Sequence, residues 1–189
     1  RNMEALSDYL TVNIISANTP GLRALQDKAA LDDLLAQVMA ARSRATPVFL
    51  KVAPDLHPAD IDDIVSVAMA RGVAALIVSN TTISRPDLQS KHAGETGGLS
   101  GAPLRDLAQQ RLIDFRKASG GKLGLIGVGG IASAEDAYAR IRAGASLVQI
   151  YSALVYHGPG LALKINRQLL KLLQRDGFAN ISDAVGTDA

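Results

Sequence analysis

The residues in this sequence able to do chemistry fall in a few clusters, each directly after a short apolar run. In Asn13-Ile14-Ile15-Ser16-Ala17-Asn18-Thr19-Pro20-Gly21-Leu22-Arg23, two carboxamides and a hydroxyl lie within six residues. A carboxamide both donates and accepts, so the set suits a flat heterocycle with alternating C=O and N–H groups. A polar loop with Asx-turns around Pro20-Gly21 is the plainer reading. Lys51 stands alone in the apolar run Phe49-Leu50-Lys51-Val52-Ala53. Burying an unpaired ammonium is costly, so Lys51 requires an anion or an electron-rich ring, or else a structural salt bridge with an acid such as Asp55. Ser79-Asn80-Thr81-Thr82 repeats the hydroxyl and carboxamide theme, though alone it would also serve as a helix cap.

Glycines supply the other chemistry. Gly127-Val128-Gly129-Gly130 precedes a helix start at Ser133, and Ala143-Gly144-Ala145 leads into Leu147-Val148-Gln149-Ile150-Tyr151-Ser152. Two successive strand exits with free N–H groups match the phosphate site that (β/α)8 barrels build after their last strands. Tight turns and helix packing would use the same glycines. Gly97-Gly98-Leu99-Ser100-Gly101 is a further loop open to close approach, a weak signal by itself. His57, His92 and His157 sit in separate turn or loop regions without i,i+4 pairing or an acidic ligand set, so they read as solvated and no metal site is expected.

The elements that must hold these clusters follow from periodicity. Apolar, β-branched runs at Tyr9 to Ile15, Val48 to Ala53, Ala75 to Asn80, Leu123 to Val128 and Leu147 to Tyr151 read as buried parallel strands. One-faced helices lie between them, over Leu31 to Ala41 (Leu31, Leu34, Leu35, Val38) and Ile61 to Met69 (Ile61, Ile64, Val65, Ala68). Pro58 suits a first helical turn, Arg71-Gly72 a cationic last turn with a C′ glycine, and Ser133-Ala134-Glu135-Asp136 an N-cap with acidic residues behind it. Strand and helix alternating five times imply a parallel sheet, either a barrel or an open doubly wound one; periodicity does not separate the two. A whole (β/α)8 barrel takes roughly 250 residues, so five units in 189 residues predict a partial barrel whose first and last strands are edges. Thr81 to Pro103 is a long connection of the kind that carries function.

Composition sets the outer bounds. The 189 residues are 48% hydrophobic and 20% charged, the make-up of one ordinary globular domain. A net charge of +2, with Lys and Arg scattered along helices, gives no electrostatic case for nucleic acid. The absence of Cys removes disulfides, thiolate metal sites and a Cys nucleophile from this stretch. Arg1-Asn2-Met3-Glu4 does not open a signal peptide, and no apolar run has membrane-spanning length. A membrane anchor upstream of Arg1 stays open.

Beyond these class-level signals, several blocks resemble one family in order and spacing: Asn13 to Arg23, Lys51 to Asp55, Ser79 to Thr82 with Arg85-Pro86, Glu95 to Leu104, Ile126 to Gly130, and Arg142 to Tyr151. Together they resemble the class 2, quinone-dependent dihydroorotate dehydrogenases over essentially the whole chain. The resemblance implies that residues 1–189 form the carboxy-terminal part of a single FMN-binding (β/α)8 barrel, supplying roughly its last five βα units. It implies oxidation of dihydroorotate to orotate in pyrimidine biosynthesis, with FMN as hydride acceptor, a quinone as final acceptor, and peripheral attachment to a bacterial or mitochondrial inner membrane through a segment outside this chain. Ser16 matches the catalytic base. Asn13, Asn18, Asn80 and Thr81 match substrate contacts, and Asn13 also lies close to the flavin. Lys51, Ser79, Gly101, Gly129, Gly130, Tyr151 and Ser152 match flavin contacts, with Gly129-Gly130 and Tyr151-Ser152 at its phosphate. Ser rather than Cys at position 16 points to the quinone-dependent class. Ile15 and Ala17 depart from the family's usual Ser and Pro, which relaxes the backbone beside Ser16. Another FMN barrel acting on a pyrimidine, or a non-catalytic half-barrel that binds a phosphate ligand, are the competing functions.

Overall fold

The computed structural model describes residues 4–14, 27–86 and 88–189. Five strands, β1 (Leu10–Asn13), β2 (Val48–Val52), β3 (Ala75–Val78), β4 (Gly124–Val128) and β5 (Leu147–Gln149), form one parallel sheet in the order β1-β2-β3-β4-β5. The helices are α1 (Lys28–Ala41), α2 (Pro58–Ala70), α3 (Arg105–Ala118), α4 (Ala134–Arg142), α5 (Ser152–His157) and α6 (Leu161–Asp176). Strand order equals chain order, so no switch point reverses the winding. Neighbouring helices touch in sequence, α1 with α2, α2 with α3, α3 with α4 and α4 with α6, as one layer on one face. That is the arc of a (β/α)8 barrel, and it decides against a doubly wound sheet.

Each strand is sorted by its pleat. In β2, Val48, Leu50 and Val52 are buried while Phe49 and Lys51 are half-buried. Leu50 and Val52 join Leu31, Leu35, Ile64, Leu76, Leu112, Phe115 and Leu125 in the core between sheet and helices. The other face carries a small cluster of Ala75, Ile77 and Ile126, with Phe49 and Val128 against it. β3 is buried on both faces, as its unbroken apolar run requires. A second core joins α4, α6 and the carboxy-terminal turn through Ile141, Leu161, Ile165, Leu169 and Leu173.

The strands are shorter than their apolar runs: Tyr9 and Ile14 flank β1, and Ala53, Ser79-Asn80 and Ile150-Tyr151 have already left the ladder. α1 begins at Lys28 rather than Leu31 because the Asp27 side chain accepts from the backbone N–H of Ala29 and Ala30. Pro58 opens α2 and Ser133 caps α4 through a capping box with Asp136. Arg71 is not in the last turn of α2; it is the C-cap, Gly72 follows with φ +69°, and its guanidinium pairs with Asp32 of α1. Among the described residues β1 and β5 each pair on one side only, the two edges expected for a five-strand arc.

Candidate active site at the strand ends

Register brings the polar clusters to one edge. Asn13 is opposite Lys51, Lys51 opposite Ile77, Val78 opposite Gly127, and Val128 opposite Gln149. Partners across a ladder share a face, so Asn13 and Lys51 lie on the inner side, at the carboxy-terminal ends of their strands. A cleft of about 250 Å³ opens there, lined among others by Lys51, Ser79, Asn80, Thr81, Gly101, Gly129, Gly130, Tyr151 and Ser152. Asn13 joins it indirectly, its Oδ1 accepting from Asn80 Nδ2 at 3.0 Å. Ser16 and Asn18 lie outside the described residues.

Lys51 has no ion pair among the described residues. Asp55, its plain partner from sequence, is engaged elsewhere: it accepts from the Thr82 hydroxyl, from Ile83 N at 3.1 Å and from the Ser84 hydroxyl at 3.0 Å. Burial lowers the Lys51 pKa, since nothing nearby compensates for the water its ammonium has lost. A half-buried cation aimed into a cleft suits an anionic or electron-rich ligand.

The Asn80 amide is held in orientation, its Oδ1 accepting from Thr81 N at 2.8 Å while Nδ2 donates to Asn13. Backbone bonds anchor the same turn on both sides, Ser79 N to Val128 O at 3.1 Å and Asn80 N to Val52 O at 2.8 Å. The long connection after it is built, not loose. Thr82 and Leu99 exchange backbone bonds, and Arg85 donates to the carbonyls of Glu95 and Gly97. Gly98 presses on Thr81 so closely that a Cβ there would lie 1.9 Å from the Thr81 hydroxyl oxygen. This places Gly101 beside Ser152, and the Ser100 and Ser152 hydroxyls hydrogen bond at 2.8 Å.

The glycine turn after β4 is the most constrained part. Gly129 and Gly130 have φ of +110° and +72°, and a Cβ on Gly130 would lie 2.5 Å from Arg105 Cα. Only glycine fits such a position. Among the described residues Gly130 N–H has no protein acceptor, although the turn lines the cleft. Behind it Arg140, 1% exposed, donates to the carbonyls of Gly129 (2.8 Å) and Arg105 (2.6 Å) and to Gln109 Oε1 (2.7 Å). Burial pushes its guanidinium down to about 10, which still leaves it charged at neutral pH.

A half-buried cation with no ion pair among the described residues, an immobilised carboxamide and a glycine turn whose N–H meets no acceptor among them suit an anionic, phosphate-bearing ligand. Ser100, Gln149, Tyr156 and His157 also line the cleft, and none of them is among the contact residues expected from sequence, where His157 reads as a solvated histidine. For Gln149 the signal was available: it is polar, at a strand's end, and in register with inward-facing Val128. His157 is not a loop residue but ends α5. His92 does have one acidic neighbour, Glu95 Oε1 at 2.7 Å from Nδ1, yet no group of three metal-ligating side chains occurs among the described residues.

Comparison with known proteins gives a single picture. The sequence model of the family described as dihydroorotate dehydrogenase matches residues 1–173. Proteins named dihydroorotate dehydrogenase (quinone) from Sphingopyxis alaskensis and Novosphingobium aromaticivorans are 68% and 62% identical over 189 residues, covering 99% and 100% of this chain but 53% and 54% of the relatives. The crystal structure of DHODH in complex with ferulenol from Eimeria tenella superposes with a TM-score of 0.92 at 39% identity, over 98% of this chain and 55% of that one. The ligand-free form gives 0.93 at 38%, over 98% and 57%. The chain thus spans about half the length of the relatives it matches.

Proposed function

Because the chain belongs to the dihydroorotate dehydrogenase family, we propose that its protein oxidises dihydroorotate to orotate for pyrimidine biosynthesis, using FMN and passing the electrons to a quinone. Residues 1–189 then form the carboxy-terminal part of one FMN-binding barrel domain. The observation that carries the reading is the cleft, where Lys51 and the Gly130 N–H, neither with a protein partner among the described residues, lie on one strand-end surface with Asn80. The relatives' name, which includes quinone, supports the electron acceptor.

FMN, when bound, supplies a two-electron acceptor for the hydride that leaves C6 of dihydroorotate. The chain's residues do the rest. Ser16 takes the C5 proton, so that loss of H⁺ and H⁻ from adjacent carbons leaves the C5=C6 double bond. A serine hydroxyl is a weak base and needs an onward proton acceptor. Asn13, Asn18, Asn80 and Thr81 bind the ring and carboxylate of the substrate, with Asn13 also toward the flavin. Lys51, Ser79 and Gly101 hold the flavin, and Gly129, Gly130, Tyr151 and Ser152 its phosphate. Quinones are lipid-soluble, so the protein is placed at a membrane surface. No helix among the described residues is long and apolar enough to cross one, and the attachment is proposed to be peripheral.

The test is an assay of the purified full-length protein. A flavin absorbance spectrum and dihydroorotate-dependent reduction of a quinone, without reduction of fumarate or NAD⁺, are expected. Oxidation of a dihydropyrimidine lacking the carboxylate in preference to dihydroorotate would replace this function by that of another FMN barrel. Absence of any flavin would reduce it to phosphate binding alone.

A further inference from the structure

We propose that Arg140 is a positioning residue that aims the Gly130 N–H into the cleft, setting the protein's grip on the ligand's phosphate from behind the turn. The inference rests on the reading of this turn as the flavin phosphate site. It begins with the Gly129–Gly130 peptide, which is trans; the cis bond recorded among the described residues is Val78–Ser79. In a trans peptide the carbonyl and the N–H point in opposite directions. Gly129 O is held by Arg140 Nη2 at 2.8 Å, on the side of α3 and α4. The N–H of Gly130 must therefore point the other way, to the side where Gly129 and Gly130 line the cleft and where no protein acceptor meets it among the described residues.

Glycines at these positions have little intrinsic preference for one peptide orientation, so something outside the turn has to select it. Arg140 is suited to that. Its planar fork spans two carbonyls from segments whose backbones touch, Gly129 O and Arg105 O, and its other end is held by Gln109 Oε1 at 2.7 Å. Gln109 is fixed in turn by donating to Ala139 O at 3.1 Å. The stem of Arg140 runs past Gly127, where a Cβ would come within 3.1 to 3.3 Å of its Cβ, Cγ and Cδ, so the glycine leaves a corridor for it. A bare turn would need only small residues. A buried guanidinium bonded to the carbonyl of the ligand-facing peptide is more than packing requires.

The experiment compares FMN with riboflavin, which has the same ring system and no phosphate, as ligands of the flavin-stripped full-length protein by fluorescence titration. Wild type should prefer FMN, and the ratio of the two affinities measures the phosphate grip. R140M should lower FMN affinity about 10-fold or more, the scale of one lost charged hydrogen bond, while riboflavin affinity holds. R140K, which keeps a donor for Gly129 O, should restore much of the ratio. Should R140M fail to fold, Q109L decides: it leaves the charge and frees the guanidinium, and should lower the FMN preference in the same direction. Equal weakening of both ligands would reduce Arg140 to a structural residue and overturn the proposal, as would an unchanged ratio in both R140M and Q109L. A wild-type protein that binds riboflavin as tightly as FMN would instead refute the phosphate site itself.

Discussion

At Lys51 stability and binding pull in opposite directions. Its ammonium has lost water without gaining a counter-charge among the described residues, and its pKa is lowered accordingly; such a group in a strand is a candidate for ligand binding. Replacing it with Met keeps the stem and removes the charge. K51M should therefore leave the flavin-free protein at least as thermally stable as wild type while sharply weakening flavin binding. A lowered melting temperature together with unchanged flavin affinity would show that Lys51 is a packing residue. Ser16 makes a complementary case, because the role proposed for it is chemical and not adhesive. S16A should retain flavin but slow its reduction by dihydroorotate by about 10²- to 10⁴-fold, the usual worth of a general base, and stopped-flow absorbance reads that rate directly. Lys51 could be singled out from sequence because one charge in an apolar strand violates a local pattern. Arg140 could not, since Ala139-Arg140-Ile141-Arg142 reads as an ordinary basic last turn, and only the fold shows which of the two arginines is buried.

Helices, strands and the loop between β3 and α3 divide the work of holding the site. Asp55, two residues beyond Ala53, fastens the start of that loop through Thr82, Ile83 and Ser84, and Arg85 fastens its end at Glu95 and Gly97. D55N converts a three-fold acceptor into a mixed donor and acceptor, so the loop should open more often. Limited proteolysis between residues 83 and 98 should become faster with little change in overall melting, whereas an unchanged cleavage rate would mean the loop is held by other contacts. A second tie joins the 3₁₀ turn Glu4–Leu6 to the segment after α1. The Ser43 N–H above all, then the Ser43 hydroxyl and the Arg44 N–H, hold the Glu4 carboxyl at about 2, against an ordinary 4.5, although burial opposes them. A depressed carboxyl stabilises the fold above its unfolded value and loses that contribution as pH falls through its folded one. The stability difference between wild type and E4Q should accordingly be level above 4.5 and vanish on descending toward about 2. A difference that does not vary with pH would mean Glu4 acts through packing. At this scale much was legible: every apolar run produced a strand, and Pro58, Gly72 and Ser133 marked helix ends. Leu161, Ile165, Leu169 and Leu173 recur every four residues as clearly as the apolar face of α2, and α6 adds to the helices marked from periodicity. The ties were not legible, because Asp55 to Thr82 or Glu4 to Ser43 are pairings across 27 and 39 positions that no local pattern encodes.

For the molecule as a whole the governing fact is an open arc. Periodicity left barrel and doubly wound sheets equally possible; strand order settled it, since only an unreversed order puts every helix on one face. Among the described residues the arc leaves β1 and β5 unpaired along one side each, and such edges are where sheets of different molecules join. Apolar side chains accompany the β5 edge: Leu147 is 60% exposed, and Tyr151, Val155 and Tyr156 more than 80%. Tyr9, stacked on Phe49 at 4.6 Å, accompanies the other, itself partly open. Exposed apolar side chains beside an unpaired strand edge favour association. Residues 1–189 expressed alone should therefore self-associate at micromolar concentration and bind a hydrophobic dye such as ANS, and both effects should fall when the remaining length found in the relatives is supplied with it. Charged substitutions at exposed positions of β5 and α5, L147K with V155K, should reduce association of the isolated arc while leaving its helical circular dichroism intact. Sedimentation velocity decides the matter: a monodisperse monomer of residues 1–189 that binds no dye would mean these edges are self-protected, and the open-arc account of the molecule would fail.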